Sequence, residues 1–245
     1  MTFYLTTSAG WGNISLSLSD YVYKTDKPRV HKKLLDVVKC IDFHGLEFTD
    51  NEDEEAYEKR IAINSFTYNT IHSNLQDIVK PNEELKQLIE KYDHGLTQGI
   101  HIRRGAYSKD AESIGHHGVD ENGNINKPYF ASDSALEKFE DIIKQSDKKF
   151  FLASDSKELK NTLKTKYPDK IVTLDHDIAF TYECDILKNH NIPKEINYAC
   201  YLDWFLLSKC KSLYVSAGTQ DMCSLSTFGY SAGVYGRSDV HFVFN

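Results

Sequence analysis

Apolar and polar positions along this 245-residue chain follow two alternating periods. FYLTTS (3–8), GIHIRR (99–104), FFLAS (150–154), IVTL (171–174), SLYVS (212–216) and HFVF (241–244) are short, apolar and rich in β-branched or aromatic residues, the signature of strands. Between them the period lengthens. Pro81 and Asn82 precede Leu85, Leu88, Ile89 and Tyr92, spaced for one helix face. Ser134-Ala135-Leu136-Glu137 reads as a capping box opening a helix over 135–145, and SKELKNTLKTKY (156–167) is amphipathic. YACYLDWFLLSKC (198–210) is apolar on nearly every side, as in a buried helix. ISLSLSDYVYKT (14–25) is ambiguous: it alternates like a strand, yet a helix after the glycine turn AGWGN would complete a βα unit. The alternation predicts an α/β protein with a mainly parallel sheet. The break DHGLTQG (93–99) suggests two α/β halves, 1–95 and 96–245, meeting at a cleft. DNEDEEAYEKR (50–60) reads as a solvated charged loop or helix face, and 113–128 as a loop-like insert.

Composition narrows the partners. With 40% hydrophobic and 27% charged residues the chain can build real cores. A net charge of −7 and a pI near 5.8 argue against duplex nucleic acid or an anionic membrane as the main partner, so any basic site is local. No basic stretch followed by an apolar run opens the chain, and no window nears the roughly 18 apolar residues of a membrane span. Five cysteines (Cys40, Cys184, Cys200, Cys210, Cys223) at wide spacings, with no C-x-x-C pair, indicate neither a disulfide framework nor a zinc site. Reduced thiols in a cytoplasmic compartment are the expectation.

Ligands of parallel sheets bind beyond the carboxyl ends of the strands, and the chemistry-bearing residues lie there. In HIRRG (101–105), strand alternation puts His101 and Arg103 on one side and Arg104 on the other. A guanidinium fork suits a diphosphate, although a surface arginine pair would look the same. Asp155, at the end of FFLASDS, could bind a base or sugar or could cap the next helix. Asp203, inside the apolar helix, needs an internal partner or a polar ligand. The loop and small-residue segment 216–236 offers hydroxyls, backbone N–H groups and a helix start for an anion. Asp175-His176-Asp177 matches a metal-binding D-x-D, but so short a tripeptide often occurs by chance; His116-His117 lacks further ligands at helical spacing, and DENGN (120–124) lacks the calcium-loop glycine at its required position and the acidic twelfth residue. A histidine phosphatase would need His, not Arg104, directly after Arg103.

In order along the chain, GWGN (10–13), HIRRG (101–105), FFLASDS (150–156) with its helix SKELKNTLKTKYPDK, YLDWFLLSKCKSLYVS (201–216) and STFGYSA (226–232) resemble the motifs of the fucosyltransferase superfamily. This is the GT-B-type group with an H-x-R-R-G or H-x-R-x-G-D motif that includes α-1,2-, α-1,6- and protein O-fucosyltransferases. The resemblance implies a GT-B-like α/β fold of two Rossmann-like halves, the N-terminal one reduced. It implies inverting, metal-independent transfer of fucose from GDP-fucose to a glycan or peptide hydroxyl. Another GDP-deoxysugar or a UDP-sugar on the same scaffold, or a non-catalytic nucleotide- or glycan-binding module, are the alternatives. Carried over, Arg103 contacts the diphosphate and glycosidic oxygen, Arg104 belongs to the same clamp, His101 and Asp203 hold the nucleotide, and Asp155 lies on the base or ribose side. Ser226 and Thr227 bind phosphate, and Gly12 and Asn13 sit across the cleft near the sugar. An inverting transfer also wants a base for the acceptor proton, for which Asp110, Glu112 and Asp20 are the candidates. Two departures stand out: Ala106 occupies the position where many members have Asp, and the insert SAGTQDMC leaves Ser216, Thr219 and Ser224 competing with Ser226 and Thr227 for phosphate.

Overall fold

The computed structural model describes residues 2–3, 10–32, 34–35, 38–50, 74–105, 130–176, 194–218 and 225–245. The charge run from residue 51 onward and the insert at 113–128 lie outside these. The first elements are β1 (Thr2–Phe3), α1 (Trp11–Tyr23), β2 (Arg29–His31), β3 (Ile41–Phe43), β4 (Glu47–Thr49), β5 (Val79–Pro81) and α2 (Glu83–Tyr92). Strands β1, β2 and β4 form a parallel sheet in that order, and β3 pairs antiparallel with β5. Asn82 caps α2 through its side chain, which accepts from the Leu85 amide at 2.9 Å.

The ambiguous segment is a helix. Alternating Ile14, Leu16 and Leu18 are all buried, and so are Ser15 and Ser19. A helix covered on most of its circumference can mix large apolar residues with small serines wherever a neighbour approaches closely, and that mixture imitates a strand's period. Ser15 meets the polar requirement locally, its hydroxyl donating to the Gly12 carbonyl at 3.1 Å.

The chain continues through β6 (Gln98–Ile102), α3 (Asp133–Gln145), β7 (Phe150–Ser154), α4 (Lys157–Lys166), β8 (Ile171–Val172), α5 (Lys194–Ser208), β9 (Ser212–Ala217), α6 (Thr227–Gly236) and β10 (Asp239–Phe244). These five strands form one parallel sheet ordered β8-β7-β6-β9-β10. Its winding runs outward from β6 in one direction through β7 and β8, then reverses to β9 and β10. The protein is thus α/β with a doubly wound parallel sheet, and its topological switch point lies between β6 and β9.

Side-chain alternation builds both faces. Ile100, Ile102, Phe150 and Leu152 pack with Ala135, Phe139 and Ile143 of α3. Phe151, Ala153, Leu213 and Val215 share the opposite core with Tyr201, Trp204 and Leu207 of α5 and with Tyr230 and Val234 of α6. That core also contains Trp11, Ile14 and Leu18 of α1 and Leu85 and Ile89 of α2, so apolar packing is continuous across residue 95. Trp11 meets Tyr201 and Trp204 edge-on, with ring centroids 5.1 and 5.6 Å away.

Two local expectations change. The cap of α3 is Ser132 rather than Ser134: its hydroxyl accepts from Ala135 N at 3.2 Å, and its own amide donates to Asn245 Oδ1 at 2.8 Å. That tertiary contact starts the helix earlier than the Ser134–Glu137 pattern indicates. The strand at 171–174 is confined to Ile171–Val172. Among the described residues no helix is long and apolar enough to cross a membrane.

A buried polar link joins α5 to α6. Trp204 Nε1 donates to Ser231 Oγ at 2.9 Å, and that hydroxyl donates to the Phe228 carbonyl at 3.1 Å. Ser231→Ala leaves the buried indole N–H without its acceptor, and a stability loss of about 1–3 kcal/mol is expected in urea unfolding. A change within a few tenths of a kcal/mol would mean that the link carries no stability.

Candidate active site at the switch point

Strand β6 ends in the turn Arg103-Arg104-Gly105, and three successive backbone amides of that turn are claimed by side chains from the neighbouring strands. Arg103 N donates to Ser216 Oγ of β9 at 2.9 Å. Arg104 N and Gly105 N both donate to Asp155 Oδ1, just beyond β7, at 2.8 and 2.9 Å. The Arg103 carbonyl accepts from Ala131 N at 2.7 Å. Gly105 has φ 68°, a left-handed conformation in which a Cβ is strained. Asp155 is therefore not the helix cap. Ser156 caps α4, accepting from Leu159 N at 3.2 Å, while Asp155 holds the R-R-G turn in place. Burial raises the Asp155 pKa, and the Arg103 charge and the two amides work against that rise.

The two arginines part company. Arg104 reaches back to the start of α3, with Nη1 on the Ala131 carbonyl at 2.5 Å and Nη2 on Asp133 Oδ1 at 2.6 Å. Its side chain is only 12% exposed. Arg103 lies over the Phe130 ring, 5.2 Å from its centroid, and its charge acts on both Asp155 and His101.

His101 is buried against the start of α6. Its Nδ1 is 3.0 Å from Ser226 Oγ, and its ring lies 5.0 Å from that of Phe228. A Cβ on Gly229 would come within 2.8–2.9 Å of His101 Cβ, Cγ and Nδ1, so hydrogen at position 229 makes room for the imidazole. Burial, then the Arg103 charge, lower the His101 pKa to about 3, which keeps the ring neutral.

The first turns of α1 and α6 abut. A Cβ on Gly12 would lie 2.4 Å from Phe228 N and Thr227 C, leaving space for nothing larger than glycine. Side chains cap α2, α3 and α4, and each of these helices has an acidic residue in its first turn. Neither α1 nor α6 has a side-chain cap or an acidic residue in its first turn. Two helix N-termini, each with amides that no side chain caps, thus converge at the switch point with Thr227 half-buried and Asn13 exposed.

A second polar group lies on α5. Asp203 is 1% exposed, its Oδ1 is 3.3 Å from His176 Nε2, and neither carboxylate oxygen has a hydrogen bond among the described residues. Buried Lys160 donates to the carbonyls of Leu174 and His176 at 3.0 and 3.3 Å, fixing the chain after β8. The sequence pattern marks Asp203 but not His176, Lys160, Phe130 or Gly229. His176 lies in a tripeptide that looks like a metal motif, and nothing local distinguishes Phe130 or Gly229.

Other sequence candidates fall elsewhere. Asp20 pairs with Lys24 at 2.7 Å, and the helical rise carries it about 13 Å along α1 from Trp11. Ser216 spends its oxygen on the Arg103 amide. Asp110, Glu112, Ala106, Thr219, Ser224, His116, His117, Asp177 and the segment 120–124 lie outside the described residues. Among the described residues no group of three or more His, Cys, Asp or Glu side chains is placed to hold a metal ion.

Among solved structures, the chain is similar to NodZ α-1,6-fucosyltransferase co-crystallized with GDP, at 14% identity and TM-score 0.48 over 95% of this chain and 89% of that one. The fucosyltransferase NodZ from Bradyrhizobium aligns over the same shares at 13% identity and TM-score 0.48. POFUT1 in complex with GDP-fucose aligns at 10% identity and TM-score 0.42, over 82% of this chain and 54% of that one. No family model matches the chain, and no curated protein matches it.

The neutral state of His101 has a consequence for acid stability. Its folded pKa of about 3 lies below the unfolded value of 6.5. In between, the unfolded chain binds a proton that the folded chain refuses, so the contribution is whole above 6.5 and drains away as pH falls toward about 3. Denaturant unfolding across this window is expected to show a shallower acid-side loss for His101→Gln than for the wild type. Equal slopes would mean that His101 titrates alike in both states.

Proposed function

We propose that this protein is a glycosyltransferase of GT-B-like organisation that transfers fucose from GDP-fucose, with inversion and without a required metal, to a glycan or peptide hydroxyl. The observation that carries this reading is the convergence of two uncapped helix N-termini with Arg103 at the switch point of a parallel sheet. Oriented amides and a guanidinium there suit a diphosphate. The ordered motif resemblance from GWGN to STFGYSA supplies the donor class. In this reading the chain divides near residue 95, and its first part contributes the Gly12–Asn13 turn opposite the donor.

The diphosphate lies against the first turn of α6, near Thr227 and Arg103, with His101 behind it. As the glycosidic bond breaks, negative charge grows on the leaving diphosphate, and Arg103 stabilises that charge where it develops. Arg104 acts from behind, anchoring the turn to α3, and Asp155 sets the direction in which the turn presents Arg103. The buried Asp203 carboxylate, whose oxygens accept no hydrogen bond among the described residues and which has His176 beside it, suits a donor edge of the nucleotide base. The acceptor proton passes to a carboxylate, with Asp110 or Glu112 the candidates. The bonds that change are the anomeric carbon's: the one to the diphosphate oxygen breaks as the one to the acceptor oxygen forms from the opposite side.

A second reading, a binding module without turnover, is favoured by Ala106, which replaces a carboxylate that many proteins with this motif carry.

Thermal unfolding with GDP, UDP, dTDP and their sugars tests the donor. GDP and GDP-fucose are expected to raise the transition by mass action, and Arg103→Ala to lower donor turnover by about 10²–10³-fold, the usual scale for losing one transition-state donor. Stabilisation by no nucleotide would refute the transferase reading. Binding without hydrolysis or transfer would establish the module, and a preference for UDP would remove fucose while keeping the scaffold.

A further inference from the structure

Ser226 stands at the N-cap of α6 and caps nothing: its hydroxyl turns away from the helix amides toward His101. Its backbone is fixed, the amide donating to the Ser216 carbonyl at 3.0 Å and the carbonyl accepting from Tyr230 N at 3.1 Å. The residue is fully buried, so its hydroxyl proton must find an acceptor within the protein. His101 Nδ1, 3.0 Å away, is the partner at hand.

We propose that Ser226 is a positioning residue that donates its hydroxyl proton to His101 Nδ1 and so fixes His101 as the tautomer with its proton on Nε2, an N–H donor for a bound diphosphate oxygen. Two physical arguments select this direction. With the reverse bond, Nδ1–H to Oγ, a buried hydroxyl proton would be left without an acceptor, a worse outcome than an unfilled lone pair. The hydroxyl also sits at the positive end of α6, where its lone pairs are favoured toward the amides and its proton away from them. Gly229 and Phe228 close on the ring and hold it in register with Ser226. The ring is neutral, so one nitrogen carries a proton and the other does not. Nε2 makes no hydrogen bond with any described residue and is left for a ligand.

A chemical consequence follows. With Nδ1 occupied by the serine proton and Nε2 already protonated, neither nitrogen can take a proton from an acceptor hydroxyl, so His101 binds and a carboxylate serves as base. The ligand half of the proposal rests on the nucleotide-sugar reading. The tautomer half concerns the ligand-free protein.

The test is a long-range proton–nitrogen correlation spectrum of the ¹⁵N-labelled full chain without nucleotide, with His101 assigned by the signal missing from His101→Gln. The expected pattern has Nε2 protonated and Nδ1 bare. Ser226→Ala is expected to shift the ring toward a mixture of tautomers and to weaken GDP binding about tenfold, the scale of one hydrogen bond to a charged group. Ser226→Thr is expected to restore both. His101→Gln, whose amide nitrogen stands where Nε2–H was, is expected to keep GDP affinity within about threefold, while His101→Leu loses about tenfold. A wild-type ring protonated on Nδ1, or a His101 signal unchanged by Ser226→Ala, would overturn the assignment. Equal GDP affinity in His101→Gln and His101→Leu would overturn the donor role. If the wild type binds no GDP at all, the nucleotide reading and the ligand half fall together, and the ligand-free spectrum still decides the tautomer.

Discussion

Three consecutive backbone amides at the end of a central strand, those of Arg103, Arg104 and Gly105, donate to oxygens from the strands on either side. Much of the site depends on that clamp. A strand end normally leaves its amides to water, and a chain released from its sheet has many ways to turn. Here Asp155 accepts two of the amides from one side and Ser216 the third from the other, so the turn has one available course. The left-handed Gly105 completes it. With the backbone committed, the two guanidiniums separate by the alternation of the preceding strand. Arg104 goes down to the start of α3, and Arg103 stays with the Phe130 ring and the His101 side.

The close approach of α1 and α6 gives the same region its electrostatic character. Each helix exposes amide donors at its N-terminus, and each would ordinarily be quieted by a cap or a first-turn acid, as α2, α3 and α4 are. Serine precedes α6 in the usual capping place, yet it is turned to His101. The helix end is thus left open to an anion at the same time as the histidine is oriented. Behind it, Trp11, Tyr201, Trp204, Phe205 and Tyr235 form an aromatic wall that holds α1, α5 and α6 together, with Trp204 reaching Ser231.

The periodic parts of the chain carry their structure in the sequence. Helices α2 and α4 and strands β6, β7 and β9 lie within a residue or two of their patterns, because one face of each meets a core and the period records it. Pattern and structure part where burial is two-sided or a distant partner intervenes. Helix α1 is covered on most sides and looks like a strand, and α3 starts at Ser132 because Asn245 holds that amide.

HIRRG, FFLASDS and STFGYSA stand in the sequence with their chemistry visible: cations beside a glycine, a carboxylate after a strand, hydroxyls at a helix start. What each of these groups does was decided only in three dimensions. Asp155 reads first as a cap for α4, until residues 50 and 51 positions earlier in the chain bring their amides to it. Ser226 resembles a cap or a phosphate ligand until a histidine 125 positions away is set against it. Asp203 lacks any visible neighbour until the chain leaving β8 delivers His176. The physical reason is one of range. Periodicity and capping reflect forces acting within a turn or along a strand, whereas the choice of hydrogen-bond partner is made by the sheet order β8-β7-β6-β9-β10, which seats distant strand ends side by side.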